Sequence, residues 1–166
     1  MRLRPFISSC DFSAIQGWIT DERSHALWCA NLLHYPLEQK DFEGVLAGIG
    51  ARFGDCPFVA TADDGELVGF FSNSLNLAAN EGKLKFVVVN PALRGKGYGK
   101  EMLRLAVKYA FGITGARAVL LNVFPENVRA KRCYESVGFR EKETVPAAFC
   151  FQDEHWARCT MVLENT

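Results

Sequence analysis

The sequence predicts an α+β fold: a single domain built on a mixed β-sheet with helices on both faces. Three observations predict it. At 166 residues and 49% apolar content, the chain suits one domain with a sizeable core. Helical stretches gather behind the first short strand, and three strands then follow in succession. Strand and helix alternate only afterwards, from Lys83 onward, so the sheet is of mixed direction.

Leu3 to Ile7 reads as the first strand. Asp11 is placed to cap a helix running through Thr20, with Ile15, Trp18 and Ile19 turned inward. A second helical stretch runs from about Ser24 to Leu33, and a third from Pro36 to about Ala51, where proline suits a first helical turn. Pro57 to Thr61 and Leu67 to Ser72 are strands joined by the turn Asp63-Asp64-Gly65. Lys83 to Val89 is the fourth strand. Glu101 to Gly112 is a helix whose apolar side carries Met102, Leu103, Ala106, Val107 and Ala110. Ala118 to Val123 is the fifth strand and Val128 to Val137 a helix. Phe139 to Thr144 and Ala157 to Leu163 close the sheet. No linker, repeat or low-complexity tract divides the chain.

Nineteen basic and nineteen acidic residues give zero net charge, so composition points neither to disorder nor to a nucleic-acid partner. No apolar stretch approaches the roughly 20 residues of a membrane span, and Met1-Arg2-Leu3-Arg4-Pro5 lacks a hydrophobic signal region. A cytoplasmic address and no membrane partner are therefore expected. Six cysteines without a C-x-x-C pair are expected to be reduced and mostly buried. Cys150, His155 and Cys159 lack a fourth ligand at a fixed spacing, so no metal is expected.

The most informative segment is Val87-Val88-Val89-Asn90-Pro91-Ala92-Leu93-Arg94-Gly95-Lys96-Gly97-Tyr98-Gly99-Lys100. A β-branched strand delivers a basic glycine-rich loop to a helix N-terminus, an arrangement suited to a phosphate or pyrophosphate. A Walker A loop fails, because Glu101 follows Gly99-Lys100 and Arg94 stands where its first glycine belongs. A dinucleotide fingerprint fails because Lys100 takes the place of its third glycine. Arg94, Gly97 and Gly99 do fit R-x-x-G-x-G, and Asn127, Ala130, Tyr134, Glu135, Gly138 and Phe139 fit N-x-x-A-x-x-x-Y-E-x-x-G-F. In these two motifs, which lie between Lys83 and Phe139, the chain resembles the GCN5-related N-acetyltransferases. The opening Leu3-Arg4-Pro5, with Asp11, Ile15, Trp18 and Ile19, resembles the branch that includes ribosomal-protein N-terminal acetyltransferases.

The resemblance implies an acetyl-CoA co-substrate and direct acetyl transfer to a primary amine, on a small molecule or a peptide N-terminus. It assigns the coenzyme A pyrophosphate to Arg94, Gly95, Lys96, Gly97, Tyr98, Gly99 and Lys100. Val87 and Val89 would offer main-chain groups to the pantetheine arm and the acetyl carbonyl, and Asn127 would bond that arm. Tyr134 would protonate the departing thiolate. Read from residues alone, Asn127 is also a good helix cap and Tyr134 an ordinary core aromatic. Relatives often carry a glutamate where this chain has Lys83; Glu81, two residues earlier, shares its strand parity and is the candidate general base. His25, Trp28, His34, Tyr35, Phe71, Asn73 and Ser74 are candidates for the acceptor site. The missing glutamate leaves an alternative open, a non-catalytic acyl-CoA-binding sensor on the same fold. The oligomeric state, monomer or homodimer, is not readable.

Overall fold

The computed structural model describes residues 1–166. Its seven strands are β1 (Arg2–Pro5), β2 (Cys56–Thr61), β3 (Leu67–Asn76), β4 (Glu81–Val89), β5 (Ala118–Val123), β6 (Arg140–Phe151) and β7 (Glu154–Glu164). They form one sheet in the order β1-β2-β3-β4-β5-β7-β6. Only β4 and β5 run parallel; the other neighbours are antiparallel. The mixed sheet is the one the element order predicts.

Five helices cover it: α1 (Ser8–Trp18), α2 (Glu22–Cys29), α3 (Gln39–Phe53), α4 (Tyr98–Gly112) and α5 (Val128–Val137). Helices α4 and α5 lie on one face, where Met102, Leu103, Ala106 and Tyr134 pack on Phe71, Leu84 and Val119. Helices α1, α2 and α3 lie on the other, where Phe12, Ile15 and Phe42 pack on Val59, Phe70 and Val88. Each fully buried aliphatic or aromatic side chain contributes about 1.5–3 kcal/mol. With helices on both faces, β3 is buried along an unbroken run from Val68 to Ser74 rather than in alternation.

Several helix starts differ from the expected ones. Asp11 is not the cap of α1; Ile7 holds that position without a side-chain bond. Asp11 sits in the first turn, 1% exposed. It accepts the Ile7 N–H at 2.8 Å and both ends of the Arg4 guanidinium at 2.7 and 2.8 Å. Burial pushes its carboxyl up, and the Arg4 and Ile7 donors more than reverse this, leaving it below the usual range. Asp21 caps α2 by accepting the Ser24 N–H at 2.8 Å. Helix α3 starts at Gln39, with Glu38 as its N-cap, and Pro36 stays in the preceding loop. Helix α4 starts at Tyr98 rather than Glu101, with Gly97 as its N-cap.

The last two strands are far longer than expected, a hairpin turning at Gln152 and Asp153. Its tip is held by a separate cluster in which Phe149, Phe151 and Trp156 pack on Phe124 and on Ala26 of α2. The cysteines are all free, but only Cys29 and Cys159 are buried. Cys10, Cys56 and Cys150 are exposed, which corrects the expectation of mostly buried thiols. No helix is long and apolar enough to cross a membrane.

Candidate active site

Strand β4 organises the site. Glu81 to Leu84 pair with Ala118 to Leu121 of β5, and there the ladder stops. Strand β5 continues to Val123 against β7. Beyond Leu84, β4 keeps only β3 as a neighbour and parts from β5. One extra residue also enters β4: Lys85 opposes Ser72, but Val88 opposes Phe70. This is a β-bulge. Phe86 occupies it at φ 52, a left-handed conformation that costs about 1–2 kcal/mol for a residue with a Cβ. Two contacts hold Phe86 there. Its ring is buried in the α1–α3 core, and Trp28 Nε1 donates to its carbonyl at 2.9 Å.

The extra residue changes which face each side chain meets. Leu84 packs in the α4 core, Phe86 and Val88 in the α1–α3 core, and Val87 and Val89 against the α4 side again. Val87 therefore stands at the gap between β4 and β5. Asn127 and Tyr134 of the α5 segment line the same gap, with Trp28, Lys85 and Asn122 across it. The enclosed space is narrow, about 40 Å³.

Tyr134 is 6% exposed, and its hydroxyl makes no hydrogen bond within the protein. Burial raises its pKa, with Cys133 adding to the effect, so the phenol stays a neutral O–H donor. Asn127 caps α5, its Oδ1 accepting the Ala130 N–H at 3.3 Å, which leaves its amide N–H groups for a ligand.

At the end of β4 the chain makes a 3₁₀ turn over Pro91–Leu93, capped by Asn90 Oδ1 on the Ala92 N–H at 3.0 Å. The glycine loop follows. Gly95 and Gly97 take φ of 76 and 86, where a side chain is strained. No backbone carbonyl accepts from the N–H groups of residues 95–100; the first helical bond is Glu101 N–H to Gly97 O at 3.1 Å. A run of free donors at the positive end of a 15-residue helix is a seat for an anion. A Cβ on Gly99 would lie 3.3 Å from a Val89 methyl and 3.5 Å from Cys133 Sγ, so α4 approaches β4 and α5 closely here with little space for a side chain. Arg94 Nε donates to Val89 O at 3.3 Å. Burial lowers the Arg94 pKa, and Arg129 nearby adds to the effect, so two guanidinium groups share this end of the site. Donors, charge and the absence of side chains fit a pyrophosphate. The Val89 carbonyl is occupied by Arg94, which leaves its N–H as the group it can offer.

Glu81 is not brought to the gap. It accepts from Arg117 Nη2 at 2.8 Å, at the fully paired end of β4. Five residues of extended chain, about 16 Å, separate it from Phe86. Glu81 does share the parity of Lys83, since the bulge lies beyond both, but it stands too far down the strand to reach the gap.

The acceptor candidates scatter. Trp28 reaches the gap, while Phe71 stacks on Phe58 inside the α4 core. His25, His34 and Tyr35 line a separate, wider hollow with Glu22, Asn31 and Phe151. Asn73 is buried with its Oδ1 unpartnered, and Ser74 lies opposite Lys83. Lys85, Asn122 and Arg129 were not anticipated. Asn122 had a signal, as the one polar residue within the apolar run Ala118 to Val123.

A model of the acetyltransferase (GNAT) family matches residues 15–139. An aminoglycoside N(6')-acetyltransferase type 1 of Klebsiella pneumoniae is 25% identical over 159 residues, covering 86% of this chain and 78% of the relative. An uncharacterized N-acetyltransferase of Methanocaldococcus jannaschii is 28% identical over 102 residues, covering 61% of this chain and 64% of the relative. Among solved structures, a spermidine N-acetyltransferase from Vibrio cholerae in complex with CoA and spermine superposes with TM-score 0.81 at 20% identity, over 98% of this chain and 94% of that one. With the two motifs in place on β4–α4 and α5, and the family model spanning most of the sequence, the chain belongs to the acetyltransferase (GNAT) family.

Proposed function

We propose that this acetyl-CoA-dependent N-acetyltransferase acts through the gap between β4 and β5, with Tyr134 as the proton donor and residues 94–100 as the pyrophosphate seat. The observation that carries this reading is the convergence of Val87, Asn127 and Tyr134 on one gap, with the free N–H loop at the end of the strand that forms it. Acetyl-CoA supplies an activated acyl group as its thioester. The protein supplies position and electrostatics. Val87, freed from β5, offers an N–H to a developing oxyanion. Asn127 orients the pantetheine arm with its free amide hydrogens. Tyr134 holds its proton at neutral pH and donates it to the sulfur of the leaving group.

Transfer is direct, the acceptor amine attacking while both substrates are bound. Cys133, beside Tyr134 in sequence, does not line the gap; its thiol lies against Gly99, and burial raises its pKa. The acceptor is a primary amine, as the names of the aminoglycoside and spermidine relatives suggest. The deciding experiment measures thiol release from acetyl-CoA with polyamines, aminoglycosides, amino acids and peptide N-termini. Amine-dependent release that collapses in Tyr134→Phe supports the reading. Tight CoA binding with no release for any amine would favour a non-catalytic sensor.

A further inference from the structure

The face of the sheet opposite α4 changes character on either side of the bulge. Near Phe86 it is covered by α1–α3. Beyond it, toward the start of β4, no helix of the other face covers it and it is mostly polar. Because Leu84, Val119, Leu121, Cys159 and Met161 point into the α4 core, their strand neighbours point the other way. These are Lys83 and Lys85 on β4, Leu120 and Asn122 on β5, and Arg158, Thr160 and Val162 on β7, with Ser72 and Ser74 opposite the two lysines, so polar and charged groups surround the apolar Leu120–Val162 pair. Lys85 and Asn122 also line the gap that holds Tyr134, so this face is continuous with the reaction site.

The charges on this face do not balance. Asp55 is buried and fully engaged, accepting from Lys85 Nζ at 2.8 Å and Ser72 Oγ at 3.1 Å. Glu81 is held by Arg117 and Glu164 by Arg140. Glu143 lies opposite Thr160 on the outer strand, without an ion pair. Lys83 and Arg158 form no ion pair and no side-chain hydrogen bond. Burial, then Lys85 and Arg158, lower the Lys83 pKa, and Asp55 opposes them only in part. Such an unmatched pair is placed to receive an anion.

Resting on the acetyl-transfer reading, we infer that the acceptor amine carries an anionic group, a carboxylate or a phosphate on a short spacer, and that Lys83 with Arg158 binds it. This distinguishes the chain from relatives named for spermidine and aminoglycosides, whose acceptors are polycations. A polycation would meet like charge at the mouth of this site.

The test uses acceptor pairs that differ in charge alone: 6-aminohexanoate and its amide, lysine and lysinamide, phosphoethanolamine and ethanolamine, with spermidine as the polycation. Wild-type kcat/KM is expected to favour the anionic member of at least one pair by about 10- to 100-fold, the range for a hydrogen bond to a charged group. Carboxylate and phosphate pairs separate the two anion classes. Lys83→Met should bring the ratio to about one through KM, and Lys83→Arg should retain most of it. A wild-type ratio of one or less in every pair, a preference for spermidine, or an unchanged ratio in Lys83→Met overturns the inference while leaving acetyl transfer intact. Absence of turnover with every acceptor, spermidine included, overturns acetyl transfer, and this inference with it.

Discussion

Residues 81–84 and 85–89 of β4 belong to one strand with two different surroundings. The first four are paired on both sides, and the carboxylate there, Glu81, is bound to Arg117. The next five lose β5, absorb a bulge and present backbone to a gap lined by Asn127 and Tyr134. The two halves differ in composition, Glu-Gly-Lys-Leu against Lys-Phe-Val-Val-Val, yet both carry residues that a single strand accommodates. What separates them is where the ladder ends. Ligand chemistry follows unpaired backbone, and side chains on the paired half serve the fold unless, like Lys83, they are left without a partner.

The largest test of this contrast is at Tyr134. Tyr134→Phe keeps the ring in the α4 core and removes one donor. Single-turnover rates should fall by about 10²–10⁴, in kcat and kcat/KM together, with acetyl-CoA affinity nearly unchanged. Equal rates would reduce Tyr134 to packing. At the loop, Gly97→Val should abolish the stabilisation by CoA, about 2.7 kcal/mol at a hundredfold excess over Kd. Space for a Cβ exists there, but φ 86 is strained for valine and the branched side chain stands over the free N–H groups. A thermal shift equal to wild type would remove the pyrophosphate from this loop.

Trp28→Phe sharpens the comparison at the bulge. It leaves the Phe86 carbonyl without its donor, so stability should fall by about 1–3 kcal/mol. Turnover should fall further than denaturant stability alone explains; a loss of stability with normal kcat would uncouple the bulge from catalysis. The buried phenol also sets an alkaline limit. Its folded pKa is raised above the ordinary value of 10.0, so above about pH 10 the unfolded chain releases a proton that the folded one retains. Stability should therefore be insensitive to this group at neutral pH and fall above pH 10, by about 1.4 kcal/mol per pH unit. Chemical denaturation of Tyr134→Phe should lack that slope. The smallest effect is expected in the paired half. Glu81→Gln weakens an ion pair to an exposed arginine and should change stability by about 1 kcal/mol or less, with an unaltered pH–rate profile. A selective loss of turnover below neutral pH would restore Glu81 as the base.

Much of the cofactor half was legible because its signals are local. A glycine at positive φ, a proline after a strand and an asparagine at a helix start each act within a few residues. The loop at Arg94 to Lys100 and the cap at Asn127 therefore appear in the sequence almost as they stand in the structure. The acceptor half was not legible. Trp28 meets Phe86 across 58 residues of chain and Arg23 meets Glu154 across 131, and no spacing rule links such positions. The hairpin of β6 and β7 was cut short for the same reason: Phe149 and Phe151 read as an apolar fragment until Phe124 and Ala26 cover them.

By itself the sequence determined the order of elements, the mixed sheet, the glycine-rich loop at the start of a helix and the pairing of that loop with the Asn127–Tyr134 helix, because periodicity, turn chemistry and capping are short-range properties of the chain. Only the tertiary structure decided where β4 leaves β5, which way the bulge turns Phe86 and Val87, that Glu81 is matched by Arg117, and that Lys83 and Arg158 form no ion pair. Those outcomes depend on which strands become neighbours and which charges meet across them, and both are settled by packing between residues far apart in the chain.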